Sequence, residues 1–238
     1  MENNYSLSVA FCTINETSSL ISAYEKVKGC SCADEYLFIV AKNATEECKK
    51  TVEKLCENEK CRFVFQDGYG LGNAIRKSFD EVKGTHLILW PADDDMDINA
   101  LPQMVRLSKM NPQKIVTVSR WKADKGFEGY GTIRTVINFV SQKAFAILFK
   151  SDLTDFTNPT QIAPVSVYRK IKWQGNDFEF MPEMIFKPLK IGCEFIEVPC
   201  KSIPRKDGKT NGSFKKFAKY YPVIFKIYKM KPEDVMKV

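Results

Sequence analysis

The 238 residues carry 36 Lys and Arg against 29 Asp and Glu, with one histidine, eight cysteines and 44% hydrophobic positions. Such a chain can bury one sizeable core, and it contains no run of about 18 uninterrupted apolar residues of the kind a membrane-spanning helix needs. The N-terminal Met1-Glu-Asn-Asn-Tyr5 lacks the basic and apolar regions of a signal peptide, so the protein is expected to stay in the cytoplasm.

The net charge of +7 is uneven. From Lys201 onward there are eleven Lys and Arg against three Asp and Glu, which leaves 25 against 26 in the first 200 residues. A local anionic partner, a membrane surface or a phosphate group, is implied for the tail. No two cysteines have CxxC spacing, and His86 sits in an apolar run. Zinc and Cys/His nucleophile chemistry need clustered ligands or a base, so this pattern speaks for reduced cysteines, several packed as small hydrophobes.

Short β-rich runs alternate with helical periodicity through the first half. Leu7–Phe11, Tyr36–Val40, Arg62–Phe65, His86–Trp90 and Ile115–Val118 read as strands. Between them, helices are expected over Glu16–Val27, Thr45–Cys56 (opening on a Thr cap), Leu71–Val82 and Asn99–Met110, where Pro102 falls in the tolerant first turn. The alternation calls for a mostly parallel sheet of about seven strands with helices on both faces. Ligands of such sheets bind beyond the carboxyl ends of the strands, which points to 12–16, 66–72 and 91–97.

The last of these segments, Trp90-Pro91-Ala92-Asp93-Asp94-Asp95-Met96-Asp97, sets four carboxylates directly after a strand. Their repulsion is relieved by a divalent cation such as Mg²⁺ or Mn²⁺, whose remaining positions take water or diphosphate oxygens, or else by solvent in a helix-capping turn. Gly68-Tyr-Gly70-Leu-Gly72 follows the third strand, which is the wrong place and spacing for a Rossmann fingerprint. Its glycines permit either a tight turn or close backbone approach to a nucleotide.

Taken together and in order, the motifs from about Ser6 to Phe225 resemble family 2 glycosyltransferases of the GT-A fold, above all those that glycosylate dolichyl or polyprenyl phosphates. The carriers are Thr13-Ile-Asn15-Glu16, Gly70-Leu-Gly72-Asn-Ala74, Ala92-Asp93, Ser119-Arg120, Arg134 with Ser141, Phe180-Met-Pro-Glu183-Met-Ile, Glu197-Val-Pro199, and Arg205-x-x-Gly208-x-Thr210. The resemblance implies Asp93 and Asp95 as ligands of Mg²⁺ or Mn²⁺. It puts Asn15, Glu16, Gly70, Gly72 and Arg120 at a nucleotide-sugar donor, and Arg134 and Arg205 around the phosphate of a polyprenyl phosphate acceptor. Asp93, Arg120, Arg134 and Arg205 would then serve an inverting transfer.

The chain departs from that family at three places. Pro91 replaces the first acid of Asp-Ala-Asp, Val40-Ala41-Lys42-Asn43-Ala44 replaces Val-Asp-Asp-x-Ser, and Asp155-Phe-Thr157-Asn-Pro159-Thr-Gln161 lacks a glycine and an arginine. A non-catalytic relative that binds lipid or a partner membrane subunit, and a transferase with another donor or acceptor, therefore stand beside the enzyme reading. The expected organisation is a GT-A domain over residues 1–212 and a basic amphipathic appendage over 213–238. The apolar Ile133–Phe149 and the basic, aromatic Ser213–Lys231 suit an anionic membrane surface, which would hold the protein at the cytoplasmic membrane face. No nucleic-acid module is present.

Overall fold

The computed structural model describes residues 5–31, 33–127, 131–203 and 219–237. The first half alternates β1 (Leu7–Thr13), α1 (Ser18–Ser31), β2 (Glu35–Val40), α2 (Glu46–Leu55), β3 (Cys61–Phe65), α3 (Leu71–Glu81), β4 (His86–Leu89), α4 (Ala100–Met110) and β5 (Ile115–Ser119). The second half runs α5 (Thr132–Phe149), β6 (Gln161–Pro164), α6 (Val165–Lys170), α7 (Phe180–Lys190), β7 (Phe195–Pro199), α8 (Tyr220–Lys229) and α9 (Pro232–Val235). Every strand and helix expected in the first half is present, with ends shifted by at most a few residues. Thr45 does cap α2, its hydroxyl accepting from the Cys48 amide at 3.3 Å.

The seven strands form one sheet in the order β3-β2-β1-β4-β6-β5-β7. All neighbours are parallel except β6, which runs antiparallel between β4 and β5. This is the mostly parallel α/β architecture of the GT-A fold. Because β6 reverses twice over, β5 points the same way as β1 and β4, so the turns after all three open on one edge.

Alternation along each strand builds a core on both faces. Val9, Phe11 and Phe38 pack with Tyr24, Val52, Leu101 and Met104 under α1, α2 and α4. Ala10, Leu37 and Ile39 pack with Ile75, Phe79, Tyr168 and Phe180 on the other face. A third cluster joins Phe145 of α5, Phe156, Phe186 of α7, and Ile224 and Ile227 of α8. The C-terminal residues expected as an appendage thus pack on α7, and Val235 of α9 is fully buried. The boundary placed at 212/213 lies outside the described residues. The seven described cysteines are free thiols, three of them buried.

His86 is a core residue. Its Nε2 lies 2.9 Å from the Pro112 carbonyl, its Nδ1 3.0 Å from the Thr85 hydroxyl, and its ring stacks on Tyr5. Burial lowers its pKa, against a smaller opposing effect of the Pro112 carbonyl. The unfolded chain therefore binds the extra proton, and stability falls as pH drops through about 6.5 towards the depressed folded value. Urea melts between pH 8 and 5 should show the parent losing stability relative to His86→Gln in that window. Parallel curves for the two proteins would contradict this.

Candidate active site

The carboxyl edge of β1, β2, β4 and β5 carries Asn15 and Glu16, Lys42, Asp93 and Asp95, and Arg120 on the turns that follow those strands. The turn after β1 is tied to that after β2, since the Ala41 amide donates to the Thr13 carbonyl at 2.9 Å and the Thr45 amide to the Ile14 carbonyl at 3.0 Å. Glu16 folds back on its own turn. Its Oε2 accepts from the Thr13 hydroxyl at 2.9 Å and from the Ile14 and Asn15 amides at 2.8 and 3.1 Å, while Asn15 is exposed. Lys42 is also exposed, on the turn after β2.

The four acids after β4 divide by role. Asp94, in the left-handed region at φ 56°, meets the Lys26 ammonium and accepts from the Ser22 hydroxyl at 2.9 Å, which pins the turn to α1. Asp97 accepts from the Asn99 amide at 3.0 Å and starts α4. Asp93 and Asp95 lie half-buried on the same turn. The turn is also stitched to the chain beyond β7: the Ile203 amide donates to the Asp95 carbonyl at 2.9 Å, and the Asp97 amide to the Lys201 carbonyl at 3.3 Å. Among the described residues no three His, Cys, Asp or Glu side chains converge as a ready metal cage. Two hard carboxylates on one turn nevertheless fit Mg²⁺ or Mn²⁺, ions that usually keep several waters and complete their shell with substrate phosphates.

The glycines after β3 make room for chain. Gly70 has φ +89°, and a Cβ there would stand 2.4 Å from the Asn176 carbonyl oxygen; a Cβ on Gly72 would stand 2.7 Å from that of Gly175. The close approach that both permit is that of residues 175–176 over the start of α3.

Arg120, at the end of β5, is 8% exposed and held by Asp155, which is fully buried. Its Nε and Nη2 donate to the two carboxylate oxygens at 2.7 and 2.8 Å, its amide donates to Oδ2 at 3.1 Å, and Nη2 also reaches the Thr157 hydroxyl at 2.6 Å. Its guanidinium lies 4.8 Å from the Phe127 ring centroid. Burial alone would raise the Asp155 carboxyl, but the Arg120 charge and hydrogen bonds outweigh it and hold the carboxyl below the usual range. Around this pair, Asn138 and Gln142 of α5 donate to the Thr157 hydroxyl, and Glu197 of β7 accepts from the Thr154 and Asp155 amides.

Sequence reasoning noticed Asp155 only as part of an altered motif and missed it as the partner of Arg120; Thr157 two residues on was the available signal. Arg134 is exposed on the first turn of α5. Arg205 lies outside the described residues.

A glycosyl transferase family 2 sequence profile matches residues 8–172. The chain belongs to glycosyl transferase family 2. The solved structures this family 2 chain resembles include glucosyl-3-phosphoglycerate synthase from Mycobacterium tuberculosis with Mn²⁺, uridine diphosphate and phosphoglyceric acid. That match has a TM-score of 0.73 and 10% identity over 95% of this chain and 79% of that one. The same synthase with Mg²⁺ and uridine diphosphate gives 0.71 and 10%, over 94% and 79%. A structure described as a mycobacterial protein gives 0.72 and 10%, over 94% and 74%. At such identity the likeness concerns the fold.

Proposed function

We propose that this family 2 glycosyltransferase moves a sugar from a nucleotide-sugar donor to a polyprenyl phosphate at the cytoplasmic face of a membrane, with inversion and with Mg²⁺ or Mn²⁺. The observation that carries the lipid acceptor is α5. Ile133, Val136, Val140 and Ile147 are 57–80% exposed on it, and it contains Arg134 and Lys143 but no acid. Alongside lies α8, with Phe225 and Tyr228 exposed, Lys226 and Lys229, and again no acid. Apolar surface bordered by cations is what an anionic bilayer interface stabilises. No helix among the described residues is long and apolar enough to cross a membrane.

In this reading Asp93 and Asp95 hold the divalent ion, which would offset charge developing on the leaving diphosphate. The turns containing Asn15, Glu16, Gly70 and Gly72 shape the donor cleft, and Arg120 orders its far wall through Asp155. Arg134 and Arg205 draw in the acceptor phosphate. That phosphate is already anionic at neutral pH, so it needs no strong general base. One solved complex of glucosyl-3-phosphoglycerate synthase contains phosphoglyceric acid, a soluble phosphate-bearing molecule, beside Mn²⁺ and uridine diphosphate. A second reading, a family 2 chain that binds lipid or a partner subunit without transferring sugar, draws on the neutralisation of Arg120 by Asp155.

The test is transfer of labelled sugar from a panel of uridine and guanosine diphosphate sugars, with Mn²⁺, to polyprenyl phosphate in anionic vesicles or to free phosphoglycerate. The parent should label the lipid, and Asp93→Ala should lose metal-dependent donor binding by calorimetry while melting normally. Label on phosphoglycerate alone would remove the lipid acceptor. Donor binding without transfer to either, or no donor binding at all, would leave the non-catalytic reading.

A further inference from the structure

We propose that a second anion site, for a small phosphate monoester, lies in the open cavity between α3, α6 and residues 172–173, away from the acidic turn. The topology sets the two apart. Helix α3 starts beyond the carboxyl end of β3 and ends before β4 begins, so its last turn lies at the amino edge of the parallel strands. Arg169 marks that edge, donating to the carbonyls of Phe79, Asp80 and Val82 at 2.8–3.2 Å.

The cavity, of about 100 Å³, is lined by four cations, Arg76, Arg169, Lys172 and Lys237, against one acid, Asp80. Among the described residues none of the four forms an ion pair. The arginines donate only to neutral oxygens: Arg76 to the Trp173 carbonyl and the side-chain carbonyls of Asn73 and Asn176, and Arg169 to the backbone. These bonds fix the guanidinium groups without neutralising them, which is the preorganisation an anion site requires. Both lysines are exposed, and among the described residues neither side chain makes a hydrogen bond or ion pair. Lys172 and Lys237 join the chain through their amides, to the Val235 carbonyl at 2.7 Å and the Lys170 carbonyl at 2.8 Å.

The remaining walls are the rings of Phe79, Tyr168 and Trp173, each no more than 7% exposed. An apolar wall beside converging cations lowers the local dielectric and strengthens their pull on an anion. A dianion fits the charge count better than a monoanion, and the cavity holds a phosphate group with little beside it, which disfavours a whole nucleotide. A phosphate monoester takes its second charge near pH 6, so affinity must rise as pH passes through that value.

The experiment titrates phenyl phosphate and inorganic phosphate into the full chain at low salt by calorimetry and tryptophan fluorescence, with vesicles of phosphatidic acid as the lipid arm. The parent should bind one equivalent, with a fluorescence change absent in Trp173→Phe and affinity several-fold weaker at pH 5 than at pH 7.5. Lys172→Gln with Lys237→Gln should weaken binding at least tenfold at an unchanged melting temperature. A response to free esters assigns a soluble ligand, and a lysine-dependent response to vesicles alone assigns a lipid headgroup. If neither probe binds, or if the double variant binds like the parent, the site does not exist.

Discussion

Asp155→Ala is expected to destabilise the fold by about 3–5 kcal/mol, because it leaves the Arg120 guanidinium charged and buried without its carboxylate. The geometry is that of a strong pair, two parallel hydrogen bonds at 2.7 and 2.8 Å with both partners almost out of solvent. The loss exceeds that of an exposed ion pair, about 0–1 kcal/mol, since the penalty is an orphaned internal charge rather than a missing attraction. Arg120→Met combined with Asp155→Leu should recover much of it, as two apolar side chains carry no such charge. The lowered Asp155 carboxyl gives a second signature. Its contribution is complete above the ordinary carboxylate range and disappears as pH falls through its lower folded value. Urea melts of the single and double variants, repeated down to pH 3, read both effects. A single variant within 1 kcal/mol of the parent would show that water or a neighbouring group takes the place of the carboxylate.

The Arg120 pair also marks where sequence reading stops. Strands such as Tyr36–Val40 and helices such as Leu71–Val82 were legible because their periodicity reports burial directly, and the alternation of elements then dictated a mostly parallel sheet. The reversed β6 was not legible: Gln161–Pro164 is four residues long, and its direction depends on β4 and β5 flanking it. At the site, the acidic turn was visible from like charges massed after a strand. What was not visible is how those charges are shared out. Asp94 meets Lys26, 68 residues away, and Arg120 meets Asp155, 35 residues away. In sequence the glycines read as a tight turn or as room for a nucleotide, whereas what approaches Gly70 and Gly72 is the backbone of residues 175–176, about a hundred positions along the chain, which leaves no local trace.

Glu183 governs that approach, and Glu183→Ala is expected to cost about 3–5 kcal/mol while loosening residues 172–176 ahead of the rest of the fold. Its Oε2 accepts from the Lys187 ammonium at 2.8 Å and from the Gln174 amide at 2.9 Å, and its Oε1 accepts from the Gly175 amide at 2.8 Å. Lys187 is fully buried and also donates to the Lys172 carbonyl, so the pair grips the segment at both ends. Burial pushes the Lys187 pKa down while Glu183 pushes it back up. Removing the carboxylate therefore leaves an ammonium that must stay charged at high cost or give up its proton. Glu183→Gln should lie between parent and Ala, because its side-chain carbonyl can still accept one of the two amides although the charge is gone. Amide hydrogen exchange separates this from a general loss of packing: protection at Gln174 and Gly175 should fall first and furthest, with β1 and β2 following only the global stability. Uniform loss across all these amides would mean that Glu183 supports the core alone. Selective loss would make it the residue that presses 175–176 onto Gly70 and Gly72, and so fixes one wall of the proposed donor cleft.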